Sequence, residues 1–532
     1  MSDGASYPYE TRLNVLWPFA TDRVSTGSGQ LACGSADLPP ELTEARRLSL
    51  HCYLPKEVAS RESRTAMVRT ALAFLALGAA PCGRAAAQDV PLVIEHVAVI
   101  DVIAGRAQPD MTVEIRGTTI AALSAGRRAR APRHARVIDG SGEYLIPGLW
   151  DMHVHVSWPP GAARVVLPVM VANGILGARD MHGTLDAIVA LKRAVARGSP
   201  IGPRLFVAGP ALDGPNSYLP AARVLRTADE AREAVRQLKA GGVDFIKVYS
   251  SLPKDVYFAV ATEAKSEGIP FVGHVPYAVT AAEASDAGQR SMEHLTEVDV
   301  GTSSEEVKIK AEEIEAMVQK HGYIPDAHRL RATYDSVKAV TLFERFRRNE
   351  TWQVPTLIVL YQPGHLLPGG SPTNDSLDVY IPNALRQYWH SVPAEVAASI
   401  GALYPIHAGL VGRINRAGVP ILAGTDCPNP YIYPGFSLHD ELSLLVHAGL
   451  TPAEALRTAT INPPRFLGLT DSLGSLATGK VADLVLLDGN PLEDIANTKR
   501  IRAVIQGGRL LDRIALDGLL ARAKALAAAD GK

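Results

Sequence analysis

Hydrophobic residues follow two different patterns along this chain of 532 residues. Residues 92–146 and about 474–512 contain short runs that are rich in β-branched residues, such as "LVIEHVAVIDV" and "IRAVIQGGRLL". Glycine-containing turns separate these runs. This pattern is typical of short antiparallel strands. Between these two regions, apolar runs of strand length alternate with segments of helical spacing, which indicates parallel β/α units. The sequence therefore predicts an α/β protein whose central region is flanked by antiparallel strands.

The central region contains eight apolar runs of strand length. Eight parallel strands, each followed by a helix, are predicted to close into a (β/α)8 TIM barrel with its chemistry at the carboxyl ends of the strands. An open, doubly wound sheet is the alternative, and it is disfavoured because no glycine-rich nucleotide-binding turn opens the series. The runs are 148–156, 175–181, 204–209, 244–250, 271–275, 290–295, 352–360 and 420–426.

Residues 64–88 have the layout of a secretory signal peptide: a basic start, a short apolar stretch and three alanines. The apolar stretch is shorter than the roughly 20 residues that a bilayer needs, so no stable membrane span is expected. Because such a signal is read at the N terminus, we expect translation to begin near Met67 and the signal to occupy 67–87. Residues 1–66 would then be a non-native or disordered extension, and a genuine disordered tail before a core helix is the alternative. The mature protein is expected to be periplasmic or secreted.

Composition and charge narrow the range of partners. The chain has 54 Lys and Arg residues against 55 Asp and Glu residues, and 47% of its residues are apolar. This balance is typical of a globular protein and gives no reason to expect nucleic acid or an anionic membrane as partner. A small molecule is the expected partner, and a homo-oligomer stays open. In the expected mature chain Cys427 stands alone, so no intramolecular disulfide is predicted.

Polar side chains end the predicted barrel strands. The first strand ends with His153-x-His155, and alternate residues of a strand face the same side, so the two imidazoles converge. A chance spacing of surface histidines is the alternative for this pair taken by itself. The carboxyl ends of barrel strands form one mouth, where the other polar residues are expected to join the pair. These residues are Lys247 on strand four, His274 on strand five, His294 on strand six and Asp426 on strand eight.

Four imidazoles, a carboxylate and a lysine predict a metal site, most suited to Zn²⁺ although manganese or iron would be accepted. Lys247 is the unusual member, because an ammonium group cannot bind a cation. Its side chain could reach the surface, or it could be a Schiff-base nucleophile with a lowered pKa. It could also be carboxylated by CO₂ and bridge two metal ions as a carbamate. The surrounding histidines favour the carboxylated form, because a Schiff-base site needs no metal ligands.

These segments together resemble the amidohydrolase superfamily. The resemblance spans roughly residues 92–512 and rests on "IPGLWDMHVHV", "FIKVY", "GHVP", "SMEHL", "GTD", "GFSLHDELSLLVHAGLTPAEALRTATINPPRFLG" and "GSLATGKVADLVLLDGNP". Within this superfamily, the sequence resembles the binuclear form with a carboxylated lysine on strand four, and specifically the imidazolonepropionase-like and prolidase-like branch. The resemblance implies that His153, His155 and Asp426 hold the more buried metal ion. His274 and His294 would hold the more exposed ion, and Lys247 would bridge the two.

The resemblance also implies a domain organisation. Residues 92–146 and 474–512 would form one small β-sandwich beside a catalytic barrel over 147–473, and a C-terminal helix would cover 513–532.

The expected function is hydrolysis of an amide, peptide or cyclic amide C–N bond. Two divalent ions about 3.5–4 Å apart can share a bridging hydroxide, because they lower the pKa of water from 15.7 towards about 7. Asp426 would act as general base and then as general acid. Substrate candidates are dipeptides, such as those with a C-terminal proline or basic residue, cyclic amides and aryl amides of natural toxins. The alternatives are a deaminase with one metal ion, or an inactive binding protein, which the complete ligand set disfavours.

Secondary candidates surround the predicted metal site. Tyr249 shares a strand face with Lys247 and could donate a hydrogen bond to the developing oxyanion. Tyr277 follows His274 by three residues, whereas many relatives with a prolidase-like loop carry a tyrosine two residues after this histidine. Both tyrosines are predicted to bind substrate, and structural packing is an alternative of at least equal weight. Arg179 and Asp180 are predicted to form a buried pair behind the ligands, whereas His439 is interpreted as part of the loop architecture.

Two long excursions, 296–351 and 361–400, are expected to shape the pocket as lids or specificity elements, or else to cover barrel helices or form an oligomer contact. The aromatic residues Tyr361, Tyr380, Tyr388 and Trp389 suggest an apolar part of the substrate.

Overall fold

The computed structural model of the protein describes residues 90–126, 132–319, 323–364 and 375–529, and all of these belong to one compact unit. The predicted extension over 1–66 and the predicted signal peptide over 67–87 lie outside the described residues. The strands are β1 (Leu92–Asp101), β2 (Arg106–Arg116), β3 (Thr119–Ala125), β4 (Arg136–Asp139), β5 (Tyr144–Pro147), β6 (Leu149–Val154), β7 (Ile175–Asp180), β8 (Arg204–Val207), β9 (Leu212–Asp213), β10 (Arg223–Val224), β11 (Ile246–Val248), β12 (Phe271–Gly273), β13 (Ser291–Glu293), β14 (Trp352–Val354), β15 (Leu484–Leu487), β16 (Ile501–Gln506) and β17 (Arg509–Asp512).

The helices occupy the segments between the central strands, as the helical spacing of the sequence predicts. They are α1 (Ala163–Ala172), α2 (Leu185–Ala196), α3 (Ala228–Gly241), α4 (Lys254–Glu267), α5 (Ala281–Asp286), α6 (Val298–Gly301), α7 (Glu306–Val318), α8 (Ala327–Ala332), α9 (Ser336–Arg348), α10 (Leu357–Gly364), α11 (Asp375–Asp378), α12 (Asn383–His390), α13 (Ala394–Gly401), α14 (Tyr404–Arg416), α15 (Phe436–His447), α16 (Pro452–Thr458), α17 (Asn462–Leu467) and α18 (Arg513–Ala529), and a 3-10 helix covers Ile495–Lys499.

Strands from both ends of the chain form one eight-stranded sheet. Its order is β17-β16-β15-β5-β1-β2-β3, and β4 pairs with β1. The two ends join where β5 pairs with β15 in antiparallel orientation. Apolar side chains from both ends, including Ile94, Leu145, Leu484 and Ile505, form a core of their own. The flanking strands therefore lie together in one sheet, and their arrangement as a β-sandwich stays a prediction.

The central strands are parallel, and most of their residues are buried. One sheet has the order β6-β7-β8, and a second has the order β10-β9-β11-β12-β13-β14. All six residues of β6 and all six of β7 are buried. Strands covered on both faces bury every side chain, which explains why they appear in the sequence as nearly continuous apolar runs. Isolated parallel bridges attach the segment 420–427 to its neighbours, Ile421 to Gln353 and Cys427 to Val154.

Two predicted strands differ from the observed elements. The run 352–360 forms a strand only as far as Val354, because Leu357 begins helix α10. The buried carboxylate of Glu441 accepts hydrogen bonds from the backbone amides of Leu357 and Ile358, at 3.0 and 2.8 Å, and so caps the start of this helix. The run 420–426 forms isolated bridges only, and Asp426 at its end has a φ of 61°.

One stretch of the described residues meets the length and hydropathy expected of a membrane-spanning helix. It is Ala394–Arg416, with a mean hydropathy of 1.3, and 33% of its most apolar window is buried. A single stretch of this kind is weak support for a membrane span, because a core helix meets the same criteria. In the structure this stretch consists of two helices, α13 and α14, which are separated by residues 402–403.

The packing of Gly177 generates a test of the central sheet. Gly177 lies in β7, and a Cβ atom there would lie 2.2 Å from Cδ2 of the buried Trp150 ring. We expect Gly177→Ala to lower the free energy of unfolding by about 1–3 kcal/mol, because the core must shift to admit the methyl group. Chemical unfolding followed by circular dichroism measures this change.

Gly518→Ala in helix α18 is the matched control. Its Cβ would meet only the flexible Arg522 side chain, at 3.7 Å. Since alanine is the better helix former by up to about 1 kcal/mol, this variant should be neutral or more stable. An equal loss of stability in both variants would contradict the packing described for Gly177.

Candidate metal centre

The His-x-His pair and Asp426 are held together by backbone hydrogen bonds. The amide of Asp426 donates to the carbonyl of His153 at 2.7 Å, and the amide of His155 donates to the carbonyl of Cys427 at 2.8 Å. Oδ1 of Asp426 lies 3.3 Å from His153 Nε2 and 2.9 Å from His155 Nε2. One potential ligand atom from each of the three residues lies within 4.8 Å of the others. Tertiary pairing thus brings together groups that are more than 270 residues apart in the sequence.

The remaining predicted histidines directly follow two neighbouring strands of the second parallel sheet. His274 follows β12 and His294 follows β13. The ring centre of His294 lies 4.5 Å from that of His153 and 4.9 Å from that of His274. Nε2 of His294 lies 3.8 Å from Oδ2 of Asp426. His274 and His294 are therefore next to the group formed by His153, His155 and Asp426.

Lys247 lies in β11, in register with Val272 of β12. Its side chain is 1% exposed and acts electrostatically on His153, His274 and Asp426. Gly273 makes room for it. This glycine has a φ of 132°, and a Cβ atom there would lie 2.9 Å from Lys247 Cδ and 2.2 Å from the carbonyl of Val248.

All six predicted metal ligands thus occupy one region of the structure. Their roles as ligands stay a prediction, as does the division into a more buried and a more exposed metal ion.

Three imidazoles are oriented by partners on their Nδ1 atoms. Nδ1 of His153 donates to Oε2 of Glu293 at 2.8 Å. Nδ1 of His274 lies 2.9 Å from Ser250 Oγ, and Nδ1 of His294 lies 2.7 Å from Thr356 Oγ1. A polar partner on one ring nitrogen fixes the ring and leaves the other nitrogen to bind a metal. The Nε2 atoms are therefore the atoms available to the site.

Glu293 is a functional residue that the sequence analysis missed. Arg179 Nη2 donates to both carboxylate oxygens of Glu293 at 2.9 Å, and Ser291 Oγ donates to Oε1 at 2.6 Å. Arg179 and Glu293 are both 0% exposed. The only sequence signal was the position of Glu293 directly before His294, and a glutamate at such a position has many ordinary explanations.

The predicted pair of Arg179 with Asp180 is wrong. The carboxylate of Asp180 instead accepts hydrogen bonds from the amides of Val156 at 2.8 Å and His182 at 3.2 Å. Consecutive residues of a strand face opposite sides of the sheet, so these two side chains point apart. Arg179 reaches β13, whereas Asp180 holds the loop that follows His155.

Three histidines of the site, His153, His274 and His294, are in their neutral form. Burial lowers the pKa of His153 and of His274 well below the ordinary value, and the charge of Lys247 lowers both further. Burial also lowers the pKa of His294 to about 4, although Asp426 opposes this effect. A neutral imidazole retains one nitrogen lone pair, which a metal ion requires.

Burial has opposite effects on the pKa values of Asp426 and Lys247. Burial would raise the pKa of Asp426, but His294, His155 and Lys247 together lower it below the ordinary value. The carboxyl group is therefore an ionised carboxylate. Burial lowers the pKa of Lys247 to about 8, although Glu293 and Asp426 act to raise it.

The donor set fits a divalent metal ion. His155 Nδ1 and Asp426 Oδ1 are buried atoms without a hydrogen-bond partner among the described residues. Asp426 Oδ1 is close to His155 Nε2, but the two atoms lack hydrogen-bond geometry. Buried polar atoms are nearly always paired, and a cation held by the imidazole Nε2 atoms would satisfy the carboxylate oxygen of Asp426.

Tyr249 and Tyr277, predicted to bind substrate, lie on the His274 side of the site. The ring of Tyr249 packs on that of His274, with the centres 4.1 Å apart, and Lys247 Nζ lies 5.8 Å from the Tyr249 ring centre. Tyr218, which the sequence analysis did not identify, packs against Tyr249 at 5.7 Å. Its hydroxyl also interacts with Tyr277. Substrate binding by Tyr249 and Tyr277 stays a prediction.

Two other buried histidines have structural partners on both ring nitrogens. His182 contacts the carbonyl of Pro220 and accepts a hydrogen bond from the amide of Ala211. His439 contacts Thr498 Oγ1 and the carbonyl of Asn173. The architectural interpretation of His439 agrees with these contacts, although the residue lies in helix α15 and not in a loop.

The model of the amidohydrolase family matches residues 144–511, well over half of the chain. The chain therefore belongs to the amidohydrolase family, and the resemblance stated from the sequence is confirmed.

The chain is also similar to several individual proteins. Imidazolonepropionase of Geobacillus kaustophilus is 40% identical over 103 residues, which cover 19% of this chain and only 24% of that protein. Ochratoxinase of Aspergillus niger is 25% identical over 394 residues, covering 69% of this chain and 75% of the relative. A crystal structure of a Xaa-Pro dipeptidase with bound methionine matches with a TM-score of 0.58 at 21% identity, covering 79% of this chain and all of that one. This structural match shows the shared fold alone.

The Glu293 network generates a test of the site. We expect Glu293→Gln to lower the free energy of unfolding by about 3–5 kcal/mol, because Arg179 then stays buried without its counter-charge. We also expect metal affinity to fall about 10- to 100-fold, because His153 loses the carboxylate that orients its ring. Chemical unfolding and metal content after dialysis against a chelator measure the two effects.

Asp229→Asn is the control for the removal of an acidic charge. It breaks an ion pair with Arg232 in which Asp229 is 91% exposed, and exposed pairs contribute little. Stability and metal content should both be unchanged in this variant. If Glu293→Gln behaved like Asp229→Asn, the orienting role of Glu293 would be refuted.

Proposed function

We propose that this protein is a metal-dependent hydrolase that cleaves an amide or peptide C–N bond with two divalent ions, most suitably Zn²⁺. The observation that carries the proposal is the convergence of four histidines on one carboxylate and one buried lysine. His153, His155 and Asp426 would hold the more buried ion, and His274 and His294 the more exposed one. Lys247, carboxylated by CO₂, would bridge them.

The chain's own residues have distinct tasks in this reaction. Two divalent ions, when bound, supply a water molecule of lowered pKa that attacks a carbonyl carbon near neutral pH. The ionised Asp426 accepts the proton of that water and passes it to the leaving nitrogen, as general base and then general acid. Glu293 and Arg179 keep the ring of His153 in position throughout. Tyr249 and Tyr277 stay protonated, because burial raises their pKa well above the ordinary value, and so act as hydrogen-bond donors to substrate.

The proposal includes a finer description of the fold. We propose that the parallel strands close into a (β/α)8 barrel. The bridges of Ile421 and Cys427 to the strands on either side support closure, as does the hydrogen bond from the amide of Asp244 to the carbonyl of Val207 at 2.8 Å. We further propose that the eight-stranded sheet folds into a small β-sandwich. Hydrogen bonds between Ile120 and the segment 479–480 support this arrangement.

The substrate is proposed to be a dipeptide or another small amide. The named activities of the relatives, ochratoxinase and Xaa-Pro dipeptidase, support a search among peptides and aryl amides. The test is a panel of Xaa-Pro and other dipeptides, N-acyl amino acids and cyclic amides, with the full chain loaded with metal in the presence of bicarbonate. Release of free amine from at least one class is the expected result.

Substitution of two ligands tests the mechanism. Asp426→Asn should lower turnover by about 10²- to 10⁴-fold, because the amide cannot take the proton. Lys247→Ala should abolish turnover and lower the metal content from two ions to one per chain. Both variants should keep the circular dichroism spectrum of the wild-type protein. Elemental analysis and the rate of amine release on the best substrate of the panel are the measurements.

Lys254→Ala is the matched lysine control. Lys254 is half exposed and pairs with Glu283 on the surface, so its removal should change neither metal content nor rate. Undiminished hydrolysis by Lys247→Ala or Asp426→Asn would refute the assignment. One ion per wild-type chain would favour the deaminase alternative instead.

We propose that the protein is exported, with translation beginning near Met67 and cleavage after the small residues that end the signal. The support is the sequence layout alone. Expression from an upstream promoter with the whole coding region, followed by N-terminal sequencing of the exported chain, should give a start near Gln88. A mature chain that begins near Met1 would refute this proposal.

A further inference from the structure

Helix α12, in the excursion that follows β14, is anchored to the segment after Asp426. Its residues Leu385, Tyr388 and Trp389 pack in one buried aromatic cluster with Tyr431 and Tyr433. Nε1 of Trp389 donates to the carbonyl of Pro428 at 3.1 Å, and the hydroxyl of Tyr431 donates to the carbonyl of Trp389 at 2.9 Å. The helix is therefore held against the chain that leads out of the candidate metal centre.

Tyr388 links this helix to the segment that follows His155. Its side chain is 2% exposed, and its ring packs edge-to-face on that of Trp158, with the centres 6.0 Å apart. Trp158 follows His155 by three residues. Burial raises the pKa of Tyr388, and the carboxylate of Asp426 raises it further, which places the phenol in the electrostatic field of the general base.

The hydroxyl of Tyr388 is buried and has no hydrogen-bond partner in the described part of the chain. Tyrosine hydroxyls that are buried normally find a partner, because an unpaired one loses its hydration without compensation. The neighbouring Tyr431 obeys this rule by donating to a backbone carbonyl. Tyr388 is thus a protonated donor within the electrostatic influence of Asp426, and it has no acceptor among the described residues.

We propose that the Tyr388 hydroxyl is a catalytic hydrogen-bond donor that binds an oxygen acceptor of the substrate, the scissile carbonyl or a carboxylate next to it, beside Asp426. The inference rests on the proposed amide hydrolysis and adds a residue from the excursion after β14 to that site. It assigns a task to helix α12: the helix completes the substrate site with a donor that the barrel strands do not carry.

Tyr388→Phe separates this role from a structural one. The substitution keeps the ring and removes a hydroxyl without a partner, so the thermal midpoint of the free protein should be unchanged or higher. The value of kcat/KM on the best substrate of the panel should fall at least about 10-fold, since a donor to the reacting group is lost. Metal content should not change. Activity would thus fall without a loss of stability, which a packing role cannot produce.

Tyr431→Phe is the matched control from the same cluster. It removes a hydroxyl that has a protein partner, so the thermal midpoint should fall while kcat/KM stays within about twofold. The inference is overturned if Tyr388→Phe is as active as the wild-type protein, if it loses stability together with activity, or if both variants lose activity equally. A wild-type chain that hydrolyses nothing in the panel defeats the proposed function and this inference with it, whereas an active wild-type chain with an equally active variant defeats this inference alone.

Discussion

The buried ion pair between Arg179 and Glu293 is the interaction on which the rest of the site depends. Both side chains are fully buried, and either one alone would cost several kcal/mol to remove from water. The pair joins three strands, because Arg179 of β7 also donates to the carbonyl of Met152 in β6 at 2.6 Å and to Ser291 in β13 at 2.9 Å. Oε2 of Glu293 also accepts a hydrogen bond from Nδ1 of His153. The direction in which His153 presents its free nitrogen is therefore decided by a charge pair behind the ring.

A second buried carboxylate places the other half of the site. Asp151 accepts hydrogen bonds from the amide of Thr425 at 3.0 Å and from its hydroxyl at 2.6 Å. These bonds hold the segment 420–427, which is not a regular strand, against β6. Asp426 follows with a φ of 61°, a conformation that is unusual for a residue with a side chain. Such backbone strain persists only where surrounding contacts impose it, and here it directs the carboxylate of Asp426 at the two histidines.

The excursions that follow β13 and β14 contribute helices and aromatic side chains. The segment after β13 forms helices α6 to α9, and the segment after β14 forms α10 to α13. Among the aromatic residues proposed from the sequence to contact substrate, Tyr361 packs on Tyr404 and Tyr380 stacks on Phe436. The charge of Asp426 acts on Tyr388 and raises its pKa. The strands and the segments next to them thus carry the proposed metal ligands, whereas the proposed donor Tyr388 belongs to a helix inserted between strands.

The sequence by itself determined the local periodicities and therefore the central α/β alternation, the two flanking strand regions and six polar residues at strand ends. His153 and His155 were predictable because side-chain direction alternates along a strand. Neither Glu293 nor Tyr218 could be predicted from the alternation along a strand, because their contacts are with residues that are distant in the sequence. The predicted pair of Arg179 and Asp180 was wrong for the same reason: adjacency in sequence puts strand residues on opposite faces. The run at 357–360 became a helix because Glu441, 84 residues away from Leu357, caps it. Only the tertiary structure decided such partners, since a buried charge or an unpaired amide is satisfied by whatever group the fold brings within about 3 Å, however distant in the chain.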